Sequence, residues 1–214
     1  MERLPRGRHG LSPEFVARNQ RERLISGLIQ ALYEVGYHET TVSLIGRRAA
    51  VSKSDFYKHF ESKDDCFVAA YEAAIERIRE RVLAACEGAE GRGWAERVPE
   101  GVGGLLDLFD EEPALASIAL VEGLRAGRGV YDRYQAAFES FVVILGRGAP
   151  RALVGSEVPE ATDEAVIGGI TSLLGRRILA GEGDRLSDLF PEIVEFTLSA
   201  YLGAEEARRI VSAG

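Results

Sequence analysis

Lys53, Ser54, Tyr57 and Lys58 are the residues of this chain whose types and spacing suit binding chemistry. On a helix they fall together on one face, because residues three and four apart are surface neighbours. Two ammonium groups, a hydroxyl and a phenol so arranged are partners for phosphate oxygens and base edges. Phe56 and Phe60, four residues apart, mark a second and apolar face. A short helix that buries two Phe and presents such a row suits a major groove. The same pattern also fits a helical hairpin with a merely solvated outer face, since Lys and Tyr are common on exposed surfaces.

Catalytic sets are not legible elsewhere. Residues 66–214 contain no His, so a Ser-His-Asp arrangement cannot be built there. Cys66 and Cys86 have no ligand-type neighbours at metal-binding spacing, so neither a metal site nor a cofactor is expected. The glycines at 101–104 and 146–148 lack the Lys-Ser/Thr that a phosphate loop needs. The chain is not expected to be an enzyme.

The elements that must position the Lys53–Lys58 row come next. Val42, Ile45 and Ala49 make one apolar stripe on a helix of about two turns. Ser52 then reads as a helix cap, with Asp55 placed to reach back to its N–H in a capping box. Val51 and Phe56 stand where a hydrophobic staple forms. Upstream, Ser12-Pro13-Glu14 starts a helix whose stripe is Ile25, Leu28, Leu32 and Val35, and Gly36 ends it. Downstream, Ser62-Lys63-Asp64-Asp65 repeats the capping logic and opens a long helix to about residue 87.

Gly36-Tyr37, Thr40-Thr41-Val42, Ala49, Val51-Ser52-Lys53, Phe56-Tyr57-Lys58-His59-Phe60 and Ser62-Lys63-Asp64-Asp65 form a long ordered set. Over residues 24–65 it resembles the DNA-binding domain of the tetracycline-repressor (TetR) family of transcriptional regulators. The resemblance implies an all-α chain of about nine helices. A three-helix helix–turn–helix head would occupy 1–62, with 1–12 a flexible arm, and a bundle for effector binding and dimerisation would occupy 63–214. It also implies double-stranded DNA as a partner, contacted by Thr40, Thr41, Ser52, Lys53, Ser54, Tyr57, Lys58, His59 and Lys63. One departure is Ala50, where the family usually has Gly before the Val-Ser of the turn. If that position needs a positive φ, Ala strains it modestly.

Charge agrees with a divided chain. The net charge of −8 splits unevenly: residues 1–63 carry 11 Lys and Arg against 7 Asp and Glu, whereas the remainder carries 15 against 27. A basic head on an acidic body is the polarity of a nucleic-acid contact. Arg3, Arg6 and Arg8 in the arm are candidates for minor-groove or phosphate contact. The two Cys, twenty residues apart on one helix, would be about 30 Å from each other, which excludes a bridge between them and suggests a reducing cytoplasm. Neither a signal peptide nor a membrane span is apparent.

In the body, helices are expected over 95–111, from Pro113, over 129–147, over 161–180 and over 187–202, with 148–160 a loop. Gly101, Gly103 and Gly104 weaken the first of them. Trp94, Phe109, Tyr134 and Phe138 are candidates for an apolar pocket with Glu122 and Arg125 as polar handles. Equally, the aromatics fit a plain core and Glu122–Arg125 a solvated i, i+3 pair. The last two helices are apolar on more than one side, so Ile167, Ile170, Leu174, Ile178, Ile193 and Phe196 are candidates for a homodimer interface, or for a larger monomeric core. The functional expectation is a repressor that binds a palindromic operator as a dimer and is released by a small apolar effector. The alternatives are a regulator without an effector, and a helical carrier or enzyme with a relic head.

Overall fold

Ser12 opens the first helix, α1 (Pro13–Glu39), by accepting the N–H of Phe15 at 3.2 Å. Pro13 follows at the first helical position, where its missing N–H is not needed. The computed structural model describes residues 12–88, 91–125, 128–153 and 156–213; of the expected arm, residues 1–11 with Arg3, Arg6 and Arg8 lie outside it. Regular helix in α1 breaks at Gly36, whose φ of 74° is open to a residue without Cβ. The core face of α1 is centred on Leu24, Leu28, Ala31 and Leu32. Val35 is 43 % exposed, because a stripe spaced 3.5 residues apart drifts around a helix of 3.6 residues per turn.

Two short helices complete the head: α2 (Val42–Ala49), capped by Thr41, and α3 (Lys53–His59), capped by Ser52. Ile45, Ala49, Val51, Phe56 and Phe60 bury themselves against Leu24, Leu28 and Leu32. Helix α4 (Lys63–Glu87) packs its N-terminal part against α1 and continues into the body, where it packs along α5 (Trp94–Glu111). The α5 glycines do not break that helix. A Cβ added at Gly104 would stand 2.8 Å from the Cβ of Ala85, so the missing side chain lets α4 and α5 approach closely. Burial along this contact offsets the low helix propensity of Gly.

The helix from Pro113 runs over 113–125 (α6), with a π-helical stretch Ile118–Glu122 in its middle. Then follow α7 (Arg128–Gly146), a two-residue antiparallel bridge of Ala152–Leu153 with Ser156–Glu157, and α8 (Thr162–Leu179). A 3₁₀ stretch (Gly183–Leu189) leads into α9 (Phe190–Leu202), so the helix expected from 187 has a tighter first part. Gly203 turns the chain into α10 (Ala204–Ala213), a helix absent from the sequence expectation. The fold is all-α, with ten helices among the described residues rather than nine. Asp163 ties the far end of the body together by accepting from Arg151 at 2.8 Å and from the Tyr201 hydroxyl at 2.5 Å. None of the described helices is long and apolar enough to cross a membrane.

Candidate nucleic-acid interface and body cavity

Helix α3 is set by local hydrogen bonds. The Ser52 hydroxyl accepts the Asp55 N–H at 3.0 Å and donates to the Asp55 carboxylate at 2.7 Å. The carboxylate therefore meets the cap's hydroxyl rather than its backbone N–H, a variation on the expected box. It also holds Lys58 at 2.6 Å, and hydrogen bonds from Lys58 and Ser52 keep the Asp55 pKa below its ordinary value. With Phe56 and Phe60 buried, Lys53, Ser54, Tyr57 and Lys58 stand on the outside, Tyr57 being 52 % exposed. Thr41 and Ser52, the caps of the two short helices, are exposed beside them.

The α2–α3 turn passes through Ala50 with φ 50° and ψ 46°, the one non-glycine positive φ among the described residues. Arg23 of α1 braces it by donating to the carbonyls of Ala49 and Ala50, a cation at the negative end of α2. Arg23 was legible only as a charge on α1. Arg47 was also passed over; it is exposed on α2 and meets no carboxylate among the described residues. His59 is half-buried and contacts Gln20 at 3.2 Å. Burial, with the nearby Arg21 and Lys58, holds its pKa below the ordinary value despite Asp55.

Thr40 departs from expectation. It is 2 % exposed and its hydroxyl donates to the Gly36 carbonyl at 2.8 Å. Its side chain braces the bend after α1 and is not free to meet DNA. Lys63 is half-buried; its ammonium donates to the Tyr37 carbonyl at 2.8 Å and lies 4.0 Å from the centre of the Tyr37 ring.

Tyr37 is where head and body meet. The break at Gly36 removes its N–H from the α1 ladder, and that N–H donates to the Glu122 carboxylate of α6 at 3.0 Å. Its hydroxyl donates to Asp64 and its ring packs edge-on against Phe67 of α4. Glu122 is 4 % exposed, and Arg125 reaches it only at 3.4 Å. Glu122 and Arg125 thus do not line the body cavity. Glu122, at the end of the π-helical stretch, is instead engaged by Tyr37 of α1, a contact that i, i+3 spacing does not reveal.

The cavity lies among α4, α5, α6, α7 and α8 and has a volume of about 990 Å³. Trp94, Phe109, Tyr134 and Phe138 are in its wall, joined by aliphatic side chains of α4 and α8. Ala119 and Leu120, within the same π-helical stretch as Glu122, also line it. Cys86 lines it too, its thiol pKa raised by burial, whereas Cys66 is sealed in the core and pushed up to about 12 by burial. No cluster of metal-ligand residues occurs among the described residues.

Among the dimer candidates, Ile170, Leu174 and Ile193 are 8 %, 1 % and 2 % exposed within a single chain. Ile167, Ile170 and Leu174 face the cavity. The broad apolar character of α8 is taken up, within one chain, by a cavity on one side and core on another. Phe196, 49 % exposed with its ring over Gly169, stays on the outer face of α8 and α9, as does the exposed Leu179; Ile178 is half-buried.

Fold and site together define a helix–turn–helix protein of the DNA-binding class, with a cavity-bearing helical body. Residues 24–70 match the family model described as bacterial regulatory proteins, tetR family. The HTH-type transcriptional regulator BetI of Klebsiella pneumoniae is 30% identical over 88 residues, and BetI of Escherichia coli K12 aligns equally. The alignment takes in 41% of this chain and 45% of those proteins, so the chain spans less than half the length of the curated relatives it matches. Similarity of fold extends much further. The fatty acid degradation regulator FadR from Bacillus halodurans superposes with a TM-score of 0.71 at 14% identity, covering 90% of this chain and 97% of that one. FadR from Bacillus subtilis, in complex with stearoyl-CoA, gives 0.68 at 16% identity, covering 84% and 98%. A TetR-family regulator from Streptomyces coelicolor gives 0.65 at 21% identity, covering 90% and 97%. Over residues 24–70, then, the chain carries a DNA-binding segment of the tetR-family type, and its fold as a whole is similar to that of TetR-like regulators.

Proposed function

We propose that this chain is a transcriptional repressor that binds an inverted-repeat operator as a homodimer and is released by a ligand with an apolar chain. The outward row on α3 carries the reading. Lys53, Ser54, Tyr57 and Lys58 are exposed on a helix whose other face is anchored by Phe56 and Phe60. Thr41, Ser52 and Arg47 flank that row, where a helix–turn–helix meets the phosphates. Two copies joined through the outer face of α8 and α9, around Phe196 and Leu179, would present two such helices to successive turns of one DNA face.

The cavity supports a ligand, and the similarity of fold to a protein complexed with stearoyl-CoA supports an apolar chain within it. The coupling route is α6. Ala119 and Leu120 touch the cavity while Glu122, in the same π-helical stretch, holds the Tyr37 N–H of the head. A ligand that presses on this stretch changes the balance between two settings of the heads, by no more than its difference in affinity for them.

Selection of duplexes from a random DNA pool at two salt concentrations tests the proposal. An inverted repeat whose affinity falls steeply with salt is the expected result. Lys53→Ala and Lys58→Ala should each lower the salt slope by about 1 per head. Failure to enrich any sequence, with the protein dimeric and folded, would overturn the DNA-binding reading.

A further inference from the structure

Three buried side-chain polar atoms among the described residues have no hydrogen-bond partner: Asn19 Oδ1, Arg97 Nε and Thr197 Oγ1. Arg97 and Thr197 both line the cavity. Buried polar groups are almost always satisfied, because an orphan loses its hydration with nothing in return. Two of them on the wall of one apolar cavity indicate a partner that the chain itself does not supply.

The two groups lie at one level of that wall. The Trp94 ring of α5 sits 4.6 Å from the Tyr201 ring of α9, and Gly103 of α5 abuts the Phe190 ring at the start of α9. The two helices therefore run antiparallel. Arg97 lies three residues in from Trp94 and Thr197 four residues in from Tyr201, displacements of about 4.5 and 6 Å along the axes. Arg97 has no carboxylate partner among the described residues; its one contact is a 3.4 Å bond from a terminal nitrogen to the Arg147 carbonyl. Arg147 also lines the cavity, while Arg79 and Arg92, in the same wall, are paired with Glu76 and Glu100. Glu87 and Glu139 complete the charged part of the lining.

We infer that the cavity takes an amphiphile with a terminal carboxylate, whose apolar chain follows the aromatic and aliphatic wall and whose head group is held by Arg97 and Thr197. This rests on the cavity being the ligand site proposed above. The donor inventory selects the head group. One guanidinium edge and one hydroxyl offer donors to the two oxygens of a carboxylate and neutralise its single charge. A neutral alcohol or ester leaves the guanidinium uncompensated, and a thioester offers a single carbonyl oxygen. Thr197 is 0 % exposed, so its hydroxyl is shut off from bulk water.

Trp94 is the one Trp of the chain and stands in the cavity wall, so its emission reports occupancy directly. The full chain is titrated with dodecanoate, dodecanol and dodecanoyl-CoA, each kept below its micelle concentration. Dodecanoate should bind at least tenfold more tightly than dodecanol, the minimum for a buried charge-assisted hydrogen bond of about 1.5 kcal/mol. Thr197→Val, close in shape, and Arg97→Met should each weaken dodecanoate about tenfold and leave dodecanol unchanged. Thr197→Ser should restore the carboxylate preference, and melting curves check that each variant is folded. Equal binding of acid and alcohol, or equal weakening of both by the variants, would sink the carboxylate site while leaving the apolar cavity in place. Tighter binding of the CoA thioester would overturn it likewise. If no amphiphile alters Trp94 emission, the reading of the cavity as a ligand site fails as well.

Discussion

Removing the Glu122 carboxylate tests the junction of head and body. In the native chain the Tyr37 N–H donates to Glu122 at 3.0 Å, and the acceptor is 4 % exposed. Glu122→Ala leaves that N–H without its partner. A hydrogen bond to a charged group contributes about 1.5–3 kcal/mol, and the orphaned donor costs about 1–3 kcal/mol. Against this, Ala relieves the desolvation of a carboxylate whose one cationic partner among the described residues is an exposed Arg125 at 3.4 Å. The net expectation is a destabilisation of about 2 kcal/mol, which for a chain of this size lowers Tm by roughly 4–8 °C. Glu122→Gln keeps an acceptor oxygen and should lose about half as much. Urea unfolding supplies the free energy, and amide hydrogen exchange at Tyr37 supplies the local reading, with faster exchange expected in the Ala variant. In the same variant, operator release by ligand should weaken while ligand affinity holds. A loss below about 0.5 kcal/mol, with Tyr37 exchange unchanged, would refute the reasoning about this junction.

Ala50→Gly should stabilise the chain by about 0.5–1 kcal/mol, because it relieves a left-handed Ala at the α2–α3 turn at the cost of some unfolded-state entropy. A raised denaturation midpoint with an unchanged m-value is the expected result. Asp163 gives a pH prediction. Burial pushes its pKa up, but hydrogen bonds from Arg151 and Tyr201 outweigh this and leave it below the ordinary 3.8. The carboxylate's stabilisation is thus complete above that value and is lost as pH falls through the lower folded value. Asp163→Asn should cost about 1–2 kcal/mol at neutral pH, allowing for the exposure of Arg151, and should flatten the acid limb of stability below about pH 4. Gly104→Leu should cost about 1–3 kcal/mol by forcing α4 and α5 apart, measured by thermal unfolding.

What could be read from the residues alone was what is settled within a few positions along the chain. Ser52 with Asp55, Ser62 with Asp65 and Thr41 with the N–H of Leu44 are caps that span three residues, so sequence spacing is nearly their whole geometry. Phe56 and Phe60 repeat at one helical turn and thereby decide which face of α3 is buried, which leaves Lys53, Ser54, Tyr57 and Lys58 outside. The all-α class followed from helical periodicity together with the resemblance over residues 24–65, whereas spacing alone left the body's aromatics divided between a pocket and a plain core. Tertiary structure decided what depends on the rotation and approach of distant elements. Glu122, read from spacing as a ligand handle, is the partner of Tyr37, a contact 85 residues apart in sequence. Ile170, Leu174 and Ile193 turn inward because α8 and α9 have more than one apolar neighbour, and periodicity does not say which neighbour belongs to the same chain. Arg23 reaches across to the end of α2, and Arg97 and Thr197 come level only when α5 and α9 lie antiparallel. Such contacts depend on how helices cross, which is set by the packing of whole faces and not by spacing along any one of them.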